Sequence, residues 1–280
     1  NTTQPSVSRA IAELEGILGL PLFERGARGV EPTLYGRALL DGSVEMFDDL
    51  RQTVQKIEFL ANPEVGDVRI ACGFHLAASF VSGVVERVSA RYPRIAFRIL
   101  GLESTPQMYT ELLARNIDLV VARPPEMEFN EQIDFEFLFQ DFNFVVAGLR
   151  HRLARRRRLS LADLSAEAWV LPPSGAAPGL LVDDAFRALG IEPPHRAGTA
   201  TQPDVRMRLV ATGRFLTVFP TSVLATYPAR RDIKVLPVTP ALPHVRIGLG
   251  TLKNRMVNPV TQLVIGHIRD LAKPLARARR

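Results

Sequence analysis

The sequence is 280 residues long, more than one average domain, and predicts two or three compact units. Its 46% hydrophobic and 23% charged content excludes a fibrous or largely disordered chain. Apolar stretches such as Leu216 to Phe219 or Leu119 to Ala122 fall far short of the roughly 20 residues a bilayer helix needs, so no membrane partner is expected.

The single cysteine, Cys72, excludes an internal disulfide and zinc clusters built on cysteine pairs. It fits a reducing compartment, and a cytoplasmic location is expected. A net charge of +6 would suit a nucleic-acid partner, yet its distribution does not carry that reading. Arg150, Arg152, Arg155, Arg156, Arg157 and Arg158 by themselves equal the whole excess, and are expected to form a solvated loop between domains. Residues 1–40 balance Arg9, Arg25, Arg28 and Arg37 against Glu13, Glu15, Glu24 and Glu31.

In chain order, Thr3 is a candidate cap for a helix whose first turn holds Gln4, Pro5 and Ser6. Val7, Ile11, Leu14 and Leu18 form one apolar stripe on it, and Gly19 supplies the stop. The other face shows Pro5, Ser8, Arg9 and Ala12, small and polar enough to approach another surface closely. Leu20 to Phe23 reads as a short strand, Arg25 to Gly29 as a basic turn, and Val30 as the return of a hairpin. Thr33 can cap a second helix reaching about Leu60, roughly 40 Å long at 1.5 Å per residue. Ser43, Met46, Leu50, Val54, Ile57 and Ala61 follow steps of three and four along it, the pattern of a helix packing along another helix. Packing on its own domain's core stays open as the alternative.

Asn62 to Gly66 reads as a linker, after which strands and helices alternate. Strands are expected at Val68 to Ala71, Ile95 to Leu100, Leu119 to Ala122, Phe135 to Leu138, Phe144 to Ala147, Trp169 to Leu171, Leu216 to Phe219, Ile233 to Leu236 and Val245 to Leu249. Helices are expected at Leu76 to Arg91, from Thr105-Pro106, and at Pro259 to Leu271. Such alternation predicts parallel sheets covered by helices.

The ordered set Gln4-Pro5-Ser6-Val7-Ser8-Arg9, Ile11, Leu14-Glu15, Leu18-Gly19, Leu22-Phe23-Glu24-Arg25 and Thr33 through Gly36 resembles the signature of LysR-type transcriptional regulators over about 35 residues. Gly66 to Ile70, Ile117 to Val121, Leu149 to Pro173 and Pro237-Val238 are similar to landmarks of that family's regulatory domain. The stretches Gly29 to Leu40 and His151 to Pro173 are most similar to the branch regulating sugar or protocatechuate catabolism. Pro32 departs from the family's usual leucine.

The resemblance implies an α/β protein with three parts. These are a partial winged helix-turn-helix over 1–33, a linker and dimerisation helix over 34–61, and a two-lobed Rossmann-like effector domain over 66–280, of the type 2 periplasmic-binding-protein kind. Its lobes would take about 66–141 with 248–280, and about 142–247, joined by crossover strands near residues 141–147 and 245–250. Double-stranded promoter DNA, a small-molecule effector and a second copy of the chain, with further assembly to a tetramer, are the implied partners. Family members carry another helix and part of a second before the recognition helix. Nothing in these residues corresponds to them: either the chain is a fragment or its numbering begins late, and a recognition helix without those supporting helices is expected to expose Val7, Ile11 and Leu14.

For DNA, the expected contacts are Gln4, Pro5, Ser6, Ser8 and Arg9 on the first helix, Arg28 on the wing and Thr33 at the second helix start. Glutamine pairs with adenine, proline touches a thymine methyl, arginine suits a narrow minor groove, and free helix amides take a phosphate. In open α/β sheets ligands sit beyond the carboxyl ends of strands. That places His75, Ser104, Thr105, Arg123, Ser174 and Thr201 among the expected effector contacts, with helix starts favouring a small carboxylate or sugar acid. No cofactor is expected. The five histidines are scattered singly, so no metal site is expected. Cys72 near His75 is the one candidate nucleophile pair, and a cysteine ending a buried strand is more often core. The rival to a regulator is a transporter's solute-binding protein, which shares the two-lobed fold but has no use for residues 1–60; an enzyme on that scaffold is the third reading.

Overall fold

The computed structural model describes residues 3–26, 29–129, 131–173, 177–226 and 231–277. The chain falls into two compact units, Asn1–Val54 and Gln55–Arg280.

In the first unit, α1 (Gln4–Leu18) carries Val7, Leu14 and Leu18 of its apolar stripe exposed, while Ile11, expected to be exposed, is half-buried. The Thr3 side chain does not cap it: its hydroxyl pairs with the Ser6 hydroxyl at 2.9 Å, and the Thr3 backbone carbonyl takes the amides of Ser6 and Val7. Gly19 ends the helix at φ 69°, a left-handed conformation that disfavours a side chain, and its amide closes onto the Glu15 carbonyl at 2.8 Å. The strand expected at Leu20 starts later, as β1 (Phe23–Gly26), pairing antiparallel with β2 (Gly29–Pro32). The reason is Glu15. Its Oε1 accepts from the amides of Leu22 at 2.7 Å and Phe23 at 3.2 Å, so this backbone is satisfied by a side chain from α1.

The Thr33 hydroxyl donates to the Pro21 carbonyl at 2.7 Å and accepts from the Gly36 amide at 3.1 Å, starting α2 (Leu34–Ala61) as an N-cap should. Gly36 is required by contact: a Cβ there would lie 2.0 Å from the Leu22 carbonyl oxygen. At 28 residues α2 is about 42 Å long. Met46, Leu50 and Ile57 of its heptad stripe are 60%, 59% and 61% exposed.

The second unit holds two five-stranded sheets. β3 (Val65–Gly73) leads into a helical run made of α3 (Phe74–Leu76), a π turn (Ala77–Val81) and α4 (Ser82–Ser89). Then come β4 (Arg94–Leu102), α5 (Thr105–Leu113), β5 (Leu119–Ala122) and β6 (Ile133–Asp141). The chain crosses to the other sheet through β7 (Asn143–Gly148), β8 (Leu159–Ser160), β9 (Trp169–Leu171) and α6 (Ala177–Arg187). It continues with β10 (Arg196–Thr199), α7 (Pro203–Ala211), β11 (Leu216–Pro220), α8 (Thr221–Thr226), β12 (Ile233–Val235) and β13 (Val238–Thr239). β14 (Val245–Leu252) returns to the first sheet, and α9 (Pro259–Arg277) closes on it.

Strand orders are β4-β3-β5-β14-β6 and β10-β9-β11-β7-β12, with β13 and β8 as a separate parallel pair. The sheets are mixed, not purely parallel as expected: β14 runs antiparallel to β5 and β6, and β7 antiparallel to β11 and β12. A strand that crosses between sheets enters from the far end, so it meets its neighbours antiparallel.

Alternate residues bury on opposite faces. Val68, Ile70, Cys72, Leu119 and Val121 pack under α4 and α9, whereas Ala71, Val120 and Ala122 pack under α5 with Met108, Tyr109 and Leu112. The second sheet repeats this, with Val145, Trp169 and Leu171 under α6 and Val146 and Phe219 under α7 and α8. The arginine run is exposed as expected, but it lies within this second lobe, between β7 and β8, and not between domains; Arg152 pairs with Glu167 there.

Candidate functional site

Two candidate surfaces emerge. On α1, Gln4, Pro5, Ser6, Ser8 and Arg9 are all exposed. At 100° per residue Pro5, Ser8, Arg9 and Ala12 share one side, away from Val7, Ile11 and Leu14; Gln4 lies at one edge of it, about 20° from Ile11, and Ser6 at the other edge, engaged by Thr3. At the start of α2 the Thr33 amide goes to the Leu22 carbonyl and the Gly36 amide to the Thr33 hydroxyl. A phosphate there would meet the amides of Leu34 and Tyr35. Arg28 lies outside the described residues.

The second is a cavity of about 440 Å³ in the second unit, between the two sheets, at the ends of β3, β5 and β11 and the crossovers at 141–143 and 243–245. Of the expected effector contacts His75, Thr105, Arg123 and Thr201 line it. Ser104 does not: it takes the extended N-cap position of α5, exposed and without a capping side-chain bond, and the residue turned inward is Thr105. Ser174 lies outside the described residues.

Local chemistry positions each group. Gly73 leaves room for the imidazole, since a Cβ there would lie 2.9 Å from His75 Cε1. The π turn follows directly, with the Ser79 hydroxyl donating to the His75 carbonyl at 2.6 Å. Arg123 is held by its backbone, whose carbonyl accepts from the Tyr109 hydroxyl at 2.8 Å, and its Nη2 lies 3.4 Å from Thr105 Oγ1. Arg206 on α7 is 2% exposed; its Nη1 donates to the Val218 carbonyl at 2.9 Å, and its buried Nε has no hydrogen-bond partner. Among the described residues it makes no ion pair.

Burial, reinforced by the positive fields of Arg206 and Arg123, pushes the His75 imidazole down to about 4, so it is neutral at pH 7. Burial also pushes Arg206 down to about 10, still charged at pH 7. Asp141, at the first crossover, is raised by burial to about 6 against the hydrogen bonds of the Ser222 amide (2.9 Å) and hydroxyl (2.6 Å). Asn143 donates to the Pro243 carbonyl at 2.9 Å and ties the two crossovers together.

The sequence reading missed Arg206, Asp141 and Asn143. A signal for Arg206 existed: Pro203-Asp204 after Thr201-Gln202 is a helix start, with Met207 and Val210 its buried face and Arg206 beside them.

Among the described residues no group of histidine, cysteine or acidic side chains could hold a metal ion, and no helix is long and apolar enough to cross a membrane. Burial raises the Cys72 thiol to about 12, which keeps it from acting as a thiolate.

Comparison with known proteins identifies both parts of the chain. The bacterial regulatory helix-turn-helix model of the lysR family matches residues 1–37, and the LysR substrate binding domain model matches residues 61–273. The HTH-type transcriptional regulator GbpR of Azospirillum brasilense is 24% identical over 268 residues, 95% of this chain and 78% of its own. The regulatory domain of Synechocystis PCC6803 CcmR, solved in complex with 2-PG, superposes with a TM-score of 0.64 at 17% identity over 74% of this chain and 98% of that one. Full-length CbnR, solved with its target DNA, gives 0.58 at 22% identity over 97% and 91%. A helix-turn-helix match has no place in a transporter's solute-binding protein, and with three quarters of its length matched by the second model this chain belongs to the LysR family of bacterial transcriptional regulators.

Proposed function

We propose that this regulator reads promoter DNA with the exposed face of α1, pairs with a second copy along α2, and is switched by a small organic anion held in the cavity of the second unit. The observation that carries the switch is Arg206, a buried cation on the cavity wall without an ion pair among the described residues, beside a neutral imidazole. A charge held out of water without a counterion is costly, and a bound carboxylate removes that cost.

Gln4, Ser8 and Arg9 read bases or phosphates, with Pro5 and Ser6 against the groove and Arg28 and Thr33 on the flanking backbone. CbnR with its target DNA and the CcmR domain with 2-PG support both halves of the reading. The anion sits on Arg206, Arg123, His75 and Thr105, with Thr201 across the cavity. Two lobes joined by two crossovers can hinge, and the ligand stabilises the closure it fits best. The stripe on α2 makes the dimer, further contacts between effector domains make a tetramer, and the protein works in the cytoplasm. As a member of a family of transcriptional regulators it is read as a binder of its ligand and not as an enzyme.

The test is a gel-shift titration against DNA selected by this protein from a random pool, with and without organic acids. Retarded specific complexes whose affinity or mobility changes with an acid support the proposal; equal binding to selected and random DNA overturns the reading of α1.

A further inference from the structure

The wall of the cavity says more about its occupant than its charge alone does. Phe74, Leu102, Met108, Leu180, Leu181 and Ile247 make most of it apolar. Leu180 stands exposed there on α6 with no packing role in the neighbouring core. The two cationic groups on the wall, Arg206 and Arg123, both bear on the imidazole of His75. They are not equally free. Arg123 has Glu126 as a favourable neighbour and reaches Thr105, whereas Arg206 offers a buried Nε without a hydrogen-bond partner among the described residues.

The other titratable groups on the wall are the carboxyls of Glu103, Asp184 and Asp141 and the imidazole of His244. Three carboxyls against two guanidiniums on the wall disfavour a second anionic group on the ligand. A polyol body would place hydroxyls against leucine, methionine and phenylalanine without partners, each at a desolvation cost.

We infer that the ligand is an amphipathic monocarboxylic acid, with its one carboxylate on Arg206 and an aliphatic or aromatic body against the apolar wall, and not a sugar acid or a polyanion. This rests on the anion reading above and narrows it. The size fits: about 440 Å³ lies within the usual range of small-ligand pockets, which bury most of their ligand. Apolar area then sets affinity and the single charged contact sets orientation.

Calorimetric titration of the full chain with acetate, hexanoate, benzoate, gluconate and the neutral amide hexanamide tests it. Hexanoate is expected to bind about tenfold or more tighter than acetate, since each buried methylene adds to the transfer free energy, and tighter than gluconate and hexanamide. Arg206→Gln should weaken hexanoate about tenfold or more, the loss of a charge-assisted contact. Leu180→Asn, at an exposed position that leaves the core intact, should weaken hexanoate severalfold and leave acetate unchanged; it carries the test if Arg206→Gln does not fold. Gluconate binding tighter than hexanoate and benzoate, and lost in Arg206→Gln, would overturn this inference while the anion site stands. Binding of hexanamide as tight as hexanoate, no binding by any acid, or full binding by a folded Arg206→Gln protein would overturn both.

Discussion

The guanidinium of Arg206 lies 4.8 Å above the ring of Phe219, so the charge on the cavity wall is supported by an aromatic face and a backbone carbonyl, not by a carboxylate among the described residues. In the empty protein such an arrangement costs stability, because the cation–π contact and two hydrogen bonds only partly replace hydration. Arg206→Met keeps the bulk and removes the charge. Thermal unfolding of the unliganded variant should show a Tm equal to or above the wild type, while protection by an organic acid disappears. A fall in Tm with ligand protection retained would show that Arg206 is structural.

Two other cavity groups respond to pH with opposite sign. Asp141 titrates higher when folded, near 6, than the ordinary carboxyl near 4, so the folded state holds the extra proton and stability falls as pH rises through about 4 to 6. His75 titrates lower, near 4, than the ordinary 6.5, so the unfolded state holds the extra proton and stability is lost as pH falls through about 6.5 to 4. Shifts of this size correspond to on the order of 3 kcal/mol each, and in the wild type they largely cancel. Urea unfolding at pH 4.5 and 6.5 should therefore show Asp141→Asn losing stability on acidification and His75→Gln gaining it. The same pH slope in both variants would contradict the assignment.

The long elements were legible because their patterns are local. The 3.6-residue stripe of α1, the heptads of α2, and β5 and β9 are found where the sequence places them. The start of the wing was not, because it depends on Glu15 reaching back seven and eight residues, a side-chain contact no period reveals. At the cavity, His75, Thr105, Arg123 and Thr201 were legible because strand ends announce a cleft. Arg206 was harder: α7 is short and weakly amphipathic, and an arginine on it reads as solvent-facing until β11 closes over it. The mixed sheets depend on crossovers at 141–143 and 243–245, whose direction no local pattern records.

Asp118 is the charge centre of the first lobe. Its carboxylate takes Arg69 Nη2 at 2.9 Å and Arg255 Nη2 at 3.1 Å, and the Arg69 amide as well, all largely buried. Asp118→Asn leaves two guanidiniums without their shared counterion. It is expected to destabilise the second unit by about 3 to 5 kcal/mol, the cost of breaking a buried pair by removing one partner, as measured by chemical denaturation. A loss under about 1 kcal/mol would show the pair to be as weak as a surface one.

On α2, Leu50 and Ile57 lie seven residues apart on one exposed stripe. Leu50→Lys with Ile57→Lys should turn an oligomer into a smaller species in light scattering at micromolar concentration, with helix content by circular dichroism nearly unchanged. An unchanged mass in the double variant would move the dimer interface off this stripe.

The last prediction concerns how α1 discriminates bases. A glutamine can donate and accept together, and opposite an adenine it forms two hydrogen bonds that other bases do not match, a discrimination of roughly 1 to 3 kcal/mol. Gln4 is exposed at the N-terminal turn of α1, where a major-groove helix presents side chains to base edges, and Ser8 follows one turn later on the same side. Arg9, displaced toward Pro5 and Ala12, is placed for phosphate as well as base. Gln4→Ala should therefore weaken binding to a selected DNA site by about ten- to a hundredfold and leave binding to random DNA nearly untouched, so the specificity ratio collapses. Arg9→Ala should weaken both and flatten the dependence of affinity on salt by about one ion. Fluorescence anisotropy with labelled selected and scrambled duplexes at two salt concentrations separates the two behaviours. Equal losses on both duplexes for Gln4→Ala would remove Gln4 from base reading and leave α1 as a backbone contact.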